Sequence, residues 1–143
     1  LDLIDYAPSK QDQFERPPVQ AVFDIDGYTL NLINIHTKPD DVPTEMEELE
    51  IIASQIEGNV VVLGDLNADC NYYNNDKEID FESWNWIIED SEDTTVAKTD
   101  CAYDRIIMND DAYSEFLTYG IDTDVFKEQS DHYLVWYEQT IED

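Results

Sequence analysis

The chain has 143 residues, of which 35 are Asp or Glu and 7 are Lys or Arg, giving a formal net charge of −28. In dilute buffer a charge of that size repels itself and any polyanion, which argues against a binder of nucleic acid that relies on its own basic surface. Disorder is excluded in turn, because 42% of the residues are hydrophobic and 12% aromatic, enough to build a core.

Molar salt removes most of the repulsion, since the Debye length falls to roughly 3 Å at 1 M. The acidity therefore reads as adaptation to high salt. The length suits a single domain over residues 1–143, and no stretch approaches the apolar length of a membrane span. No secretory signal is visible, and a start at Leu1 rather than Met points to sequence upstream.

In chain order, Val19 to Ile25 and Tyr28 to His36 are rich in β-formers and meet at Asp26-Gly27, a dipeptide suited to a two-residue hairpin turn. That hairpin delivers His36 at a strand end. Pro43 then suits a first helical turn, and Thr44 with Glu47 has the spacing of a capping box. Met46, Leu49, Ile52, Ala53 and Ile56 follow at helical spacing, and Gly58 stops the element.

The uninterrupted run Val60-Val61-Val62-Leu63 predicts a strand buried on both faces, ending at Gly64-Asp65. Polar residues just past such an end sit at a sheet edge, a usual place for a site. Residues 71–79 read as a loop, and Phe81 to Ile88 as a short helix with Trp84, Ile87 and Ile88 turned inward. Strands are expected at Tyr103–Met108 and Tyr133–Glu138. The order β, β, α, β, α, β, β predicts a layered α/β domain.

The chemistry-bearing residues fall at the ends of these strands. The two histidines of the chain are His36 and His132, the latter in Ser130-Asp131-His132; between them lie Gly64-Asp65-Leu66-Asn67-Ala68-Asp69-Cys70 and Cys101-Ala102-Tyr103-Asp104-Arg105. Singly, each has a plain reading, as a strand-end histidine bonded to a carbonyl or a turn-forming Asp or Asn. Jointly, two imidazoles, spaced acids and an asparagine are the parts that hydrolyse a phosphate ester with a metal ion. Cys70 and Cys101 lack a Cys or His partner at zinc-ligand spacing, which leaves a disulfide or two free thiols open. A bridge would close a loop of about 32 residues, worth roughly 3–4 kcal/mol, and would place the protein outside the cytosol.

These segments, with Trp86 through Asp93-Thr94-Thr95, Thr99-Asp100-Cys101, Phe14-Glu15-Arg16-Pro17-Pro18 and Ile35-His36-Thr37-Lys38-Pro39, resemble the deoxyribonuclease-I-like branch of the endonuclease/exonuclease/phosphatase superfamily. The likeness runs from Phe14 to Glu138 and corresponds to the C-terminal half of that family's four-layer αββα sandwich. It implies a mixed, mostly antiparallel sheet with flanking helices.

The resemblance also implies roles. His132, paired with Asp104, and His36 would be the acid/base imidazoles; Asp65 and Asn67 would face the phosphate and a divalent metal, Mg²⁺ or Mn²⁺, with Asp131 a further metal carboxylate. Tyr103 would lie beside the phosphate. Asp93, with carbonyls near Thr95 and Thr99, would match a structural Ca²⁺ site, and Cys70 would be bridged to Cys101. The implied activity is DNA hydrolysis by a secreted, extracellular endonuclease.

The family's N-terminal half, with the glutamate for its principal metal and the glutamate that partners the histidine matching His36, has no counterpart in this chain. Three readings follow: the remainder of a complete nuclease, a subunit completed by a partner chain or a second copy that covers the exposed sheet, or a catalytically inactive half-domain serving as an extracellular structural or binding module. Lys38, Lys98 and Arg105 are the cations considered for DNA affinity, too few to supply it unaided.

Overall fold

A computed structural model describes residues 2–4 and 13–141. A six-stranded sheet forms the centre, in the order β1-β2-β3-β4-β6-β5, where β1 is Asp2–Ile4, β2 Val19–Ile25, β3 Tyr28–Asn34, β4 Asn59–Asp65, β5 Asn85–Trp86 and β6 Asp104–Met108. Among the described strands only β3 and β4 pair in parallel; the helix α1, Val42–Ala53, makes the crossover between them. A short helix α2, Asp110–Tyr113, then leads to a separate two-stranded sheet of β7, Phe116–Asp122, and β8, Leu134–Gln139.

The period of two in β4 and β6 decides the layering. Val60, Val62 and Ile107 turn to one face, where they pack with Ile33 and Ile35 against Met46, Leu49 and Ile52 of α1. Val61, Ile106 and Met108 turn to the other, against half-buried Tyr119, Ile121, Val135 and Tyr137 of the β7–β8 hairpin. The uninterrupted apolar run of β4 is thus covered on both sides, as its sequence requires. The outward side of the hairpin leaves Leu117 and Leu134 each 59% exposed and Trp136 40% exposed. No helix among the described residues is long and apolar enough to cross a membrane.

The β2–β3 hairpin turns at Asp26 and Gly27, both with positive φ, as that dipeptide predicts. Two expectations are corrected, and strands appear that were not expected. The Thr44–Glu47 capping box does not form: the chain enters α1 through a 3₁₀ turn at Pro39–Asp41, so the helix starts at Val42, Thr44 lies inside it, and the cap position Asp41 makes no side-chain bond. Residues 81–88 are not a helix but a set of turns followed by β5, because Trp86 pairs with Ile107 at the sheet edge. The strand β7 was not expected at all.

Arg105 is fully buried on β6 and donates to the carbonyls of Ile88 and Ala68, each at 2.7 Å, and to Asp90 at 2.8 Å. Its guanidinium lies over Trp86, 5.2 Å from the ring centroid. Burial pulls its pKa below the usual guanidinium value, with Asp90 opposing. It is a core strut and cannot lend charge to a DNA surface. Lys38, the second cation considered for that task, pairs with Glu15 at 3.1 Å.

Candidate active site

The strands β3, β4 and β6 bring the site together at one sheet edge. Backbone pairing runs on past the end of β3, with Ile35 N–H donating to the Leu63 carbonyl at 3.3 Å and Thr37 N–H to the Asp65 carbonyl at 3.1 Å. His36, between them, is thereby held beside Asp65. The approach needs Gly64, at φ +137°, because a Cβ there would run into the Ile35 carbonyl oxygen. Asp104 is the register partner of Asp65 across β4 and β6. His132 is brought in by an isolated bridge to Thr95.

Both imidazoles reach the same carboxylate oxygen. His36 Nε2 lies 3.2 Å from Asp65 Oδ2, and His132 Nε2 lies 3.6 Å from that atom. The other nitrogen of His132 meets Asp104 Oδ2 at 2.7 Å. A carboxylate there accepts the hydrogen bond of Nδ1–H and leaves Nε2 to face Asp65. Burial works against the imidazolium of His132, but the bond and charge of Asp104, with Asp65 and Asp131, outweigh it and raise the pKa above the usual value. Burial raises the Asp104 carboxyl as well, against the hydrogen bonds of His132 and Thr94.

The second imidazole has a different neighbour. Arg16 Nη1 lies 3.3 Å from His36 Nδ1. A guanidinium only donates, so Nδ1 carries the lone pair and the proton of neutral His36 sits on Nε2, toward Asp65. Sequence reasoning quoted Arg16 within a segment and gave it no role; the ring contact joins residues 20 apart, which no local pattern reveals.

Asn67, 5% exposed and at φ 46°, donates Nδ2 to the Thr37 carbonyl at 3.1 Å. Buried Thr37 returns Oγ1 to the Leu66 carbonyl at 2.7 Å and so ties the His36 segment to the Asp65–Asn67 turn; it too escaped the sequence reading. Tyr103 stacks at a tilt on Tyr72, 5.5 Å between centroids, and its pKa is raised by burial, Tyr72, Asp69 and Asp65.

Asp65, Asp104 and His132 present ligand atoms within 4.8 Å of one another, a compact oxygen-and-imidazole set. Asp131 is exposed and stands outside that set among the described residues. A second polar knot lies below it in the chain. Asp93 Oδ1 accepts from Thr95 N–H at 2.9 Å, Thr95 Oγ1 at 3.0 Å and Cys101 N–H at 3.2 Å, while Thr95 Oγ1 donates to the Thr99 carbonyl at 2.7 Å. Cys70 and Cys101 form a disulfide, Cα atoms 6.0 Å apart, joining the turn after β4 to the segment before β6.

The histidines stand at an open edge. A cleft of about 420 Å³ between Tyr73, Trp86 and Ile88 shares no lining residue with them, and its rim of Glu78, Asp80, Glu82, Glu89 and Asp90 would repel a phosphate.

No family model matches the chain. Among curated proteins it is similar to deoxyribonuclease-1 of Gallus gallus, 33% identical over 122 residues that cover 76% of this chain and 43% of that protein. It is similar also to deoxyribonuclease-1-like 2 of Mus musculus, 34% identical over 118 residues covering 71% of this chain and 41% of that one. The chain thus spans less than half the length of both.

Two solved structures share the fold. The endonuclease domain of TRAS1, a telomere-specific non-LTR retrotransposon, superposes with a TM-score of 0.71 at 14% identity, over 99% of this chain and 70% of that one. The 3′-5′ exonuclease NExo of Neisseria meningitidis does so with a TM-score of 0.68 at 17% identity, over 96% and 70%. By sequence and by fold, the chain belongs to the deoxyribonuclease-I-like branch of the endonuclease/exonuclease/phosphatase superfamily and corresponds to part of its domain.

Proposed function

We propose that this chain carries the catalytic edge of a divalent-metal-dependent DNA endonuclease that works in high salt outside the cell. The observation that carries the reading is the convergence of two imidazoles on Oδ2 of Asp65. The deoxyribonuclease relatives support DNA as the substrate class. The disulfide supports an extracellular setting, and the net charge of −28 supports molar salt.

The two rings take opposite parts. His132, with Nδ1 on Asp104, turns an unprotonated Nε2 toward the site above its own pKa and serves as base to the attacking water. His36, as an imidazolium with Nε2–H toward Asp65, would serve as acid to the leaving oxygen and return to the neutral ring. Asp65 spaces the rings. Asn67, with its nitrogen committed to Thr37, keeps its amide oxygen as an acceptor, and Tyr103 would offer its hydroxyl to a phosphate oxygen.

The donor set fits a hard cation. Asp65, Asn67 and Asp131 would hold Mg²⁺ or Mn²⁺, since Asp104 and His132 are already spent on each other. Bound there, the ion polarises the phosphate and offsets the repulsion between DNA and the acidic surface. Asp93 with the oxygens of Thr95 and Thr99 would hold Ca²⁺ in a loop their own bonds already shape.

His36 faces a guanidinium where basicity would call for a carboxylate, and apolar side chains stand open on β7 and β8. Both features favour a site completed by further protein, whether an upstream half, a partner chain or a second copy. The test is plasmid nicking by the intact assembly from its source in 2 M salt with Mg²⁺ and Ca²⁺. Nicking that His132→Ala and His36→Ala each abolish is expected. Its absence from the intact assembly would instead leave a half-domain with a structural or binding task.

A further inference from the structure

A buried carboxylate that the reaction does not use stands behind Arg16 and His36. Glu45 is 1% exposed in the first turns of α1, and among the described residues neither oxygen pairs with a cation. Its Oε1 accepts the backbone N–H of Glu15 at 3.0 Å, and its Oε2 accepts that of Lys38 at 2.9 Å. Those amides belong to the residue before Arg16 and the residue two after His36. The same segments meet again at their tips, where Arg16 Nη1 lies 3.3 Å from His36 Nδ1.

A charged group is taken out of water only where its hydrogen bonds replace the solvent, and here two backbone donors do so from chain segments that share no secondary structure. The positive end of α1 adds to the holding of the charge. Packing alone would favour an apolar residue at this position, between buried Val42 and Met46 and beside buried Phe14. Cutting either bond frees one segment to move against the other, and Thr37, locked to the Leu66 carbonyl at 2.7 Å, leaves the Arg16 side as the one that shifts most.

We propose that Glu45 is a positioning residue: one buried carboxylate that clamps the Arg16 segment to the His36 segment and thereby sets the guanidinium against the imidazole. Its effect on catalysis rests on the nuclease reading; its effect on geometry does not.

The test reads geometry first. In Glu45→Gln the side chain keeps its shape and one acceptor while an NH₂ faces the other amide; in Glu45→Ala both acceptors go. Amide exchange followed by NMR should quicken at Glu15 or Lys38 in the first variant and at both in the second, by on the order of tenfold or more, with the β4 amides of Val60 to Val62 unchanged. The ring signals of His36 should move in each variant, and those of His132 should not. Unaltered exchange at both amides, or altered exchange with His36 signals in place, would overturn the clamp.

Should Glu45→Ala fail to fold, Glu45→Gln alone decides the matter. In an active assembly, Glu45→Gln should lower kcat by on the order of 100-fold or less with KM for DNA changed little, the cost of a misplacement near 1 Å. That loss should vanish when Arg16 is already Ala. An equal loss in the Arg16→Ala background would assign Glu45 to general stability instead. An assembly inactive in every form would count against the nuclease reading and leave the NMR result standing.

Discussion

Replacing Arg105 by Met tests how much of the fold hangs on one buried cation. Met keeps an unbranched apolar side chain in the core and removes every donor. The Ile88 carbonyl, bonded at 2.7 Å, loses its Arg105 donor in the interior, and the Ala68 carbonyl, also at 2.7 Å, keeps only the 3.5 Å contact of Asn75 Nδ2, at about 1–3 kcal/mol apiece. The bond to Asp90 adds little, about 0–1 kcal/mol, because the Asp90 side chain is 59% exposed and solvent takes over its oxygen. The guanidinium's own desolvation is relieved, which trims the total.

The expected loss is about 3–5 kcal/mol, a large share of the roughly 5–15 kcal/mol typical of a folded domain. Urea unfolding in 2 M NaCl, followed by near-ultraviolet circular dichroism of the tryptophans, measures it. Arg105→Lys should recover part of the loss, since an ammonium still donates to one carbonyl. A Met variant within about 1 kcal/mol of the parent would refute the argument that these carbonyls depend on Arg105.

Other outcomes follow from the same structure. Gly64→Ala should cost on the order of 1–3 kcal/mol for its backbone angle and should move His36, because the added Cβ meets the Ile35 carbonyl; thermal melting with the His36 NMR signal checks both. The folded pKa of His132 lies above its unfolded value near 6.5, so its pairing stabilises the protein below that pH and the contribution fades as pH rises through the folded value. Asp104→Asn should lower the His132 pKa, and in an active assembly should shift the acid limb of the pH–rate profile to lower pH, read by NMR titration and initial rates. Raising NaCl from 0.1 to 2 M should raise the urea midpoint as the charge of −28 is screened; a fall would contradict salt adaptation.

Local chemistry was legible wherever the decisive contacts were local. Asp26-Gly27 announced its hairpin, Met46, Leu49 and Ile52 their helix, and the Val60–Leu63 run its doubly covered strand. Residues 81–88 misled because Trp84, Ile87 and Ile88 fall at helical spacing, whereas the pairing of Trp86 with Ile107 across the sheet decided the outcome. The strand β7 hid for two reasons: Leu117 faces solvent, and Gly120 gives way to the Trp136 ring on the neighbouring strand. Its pattern is set by a partner some distance along the chain.

In the site, the residue types marked His36, Asp65, Asn67, Asp104 and His132, because few other side chains suit proton transfer and hard cations. Their convergence was not local information. Nor were the parts of Arg16, Thr37 and Glu45, whose bonds join residues from 7 to 30 apart, those of Thr37 and Glu45 through backbone groups that sequence does not display.

The central claim is that His36 and His132 share one ion-binding edge at Asp65. Micromolar Mn²⁺ added to the protein in 2 M NaCl measures it most directly, by paramagnetic broadening of the imidazole NMR signals. Both rings should broaden together, over the same range of Mn²⁺, and Asp65→Asn should abolish the effect on both. Broadening of one ring alone, or of both equally in Asp65→Asn, would contradict the shared site.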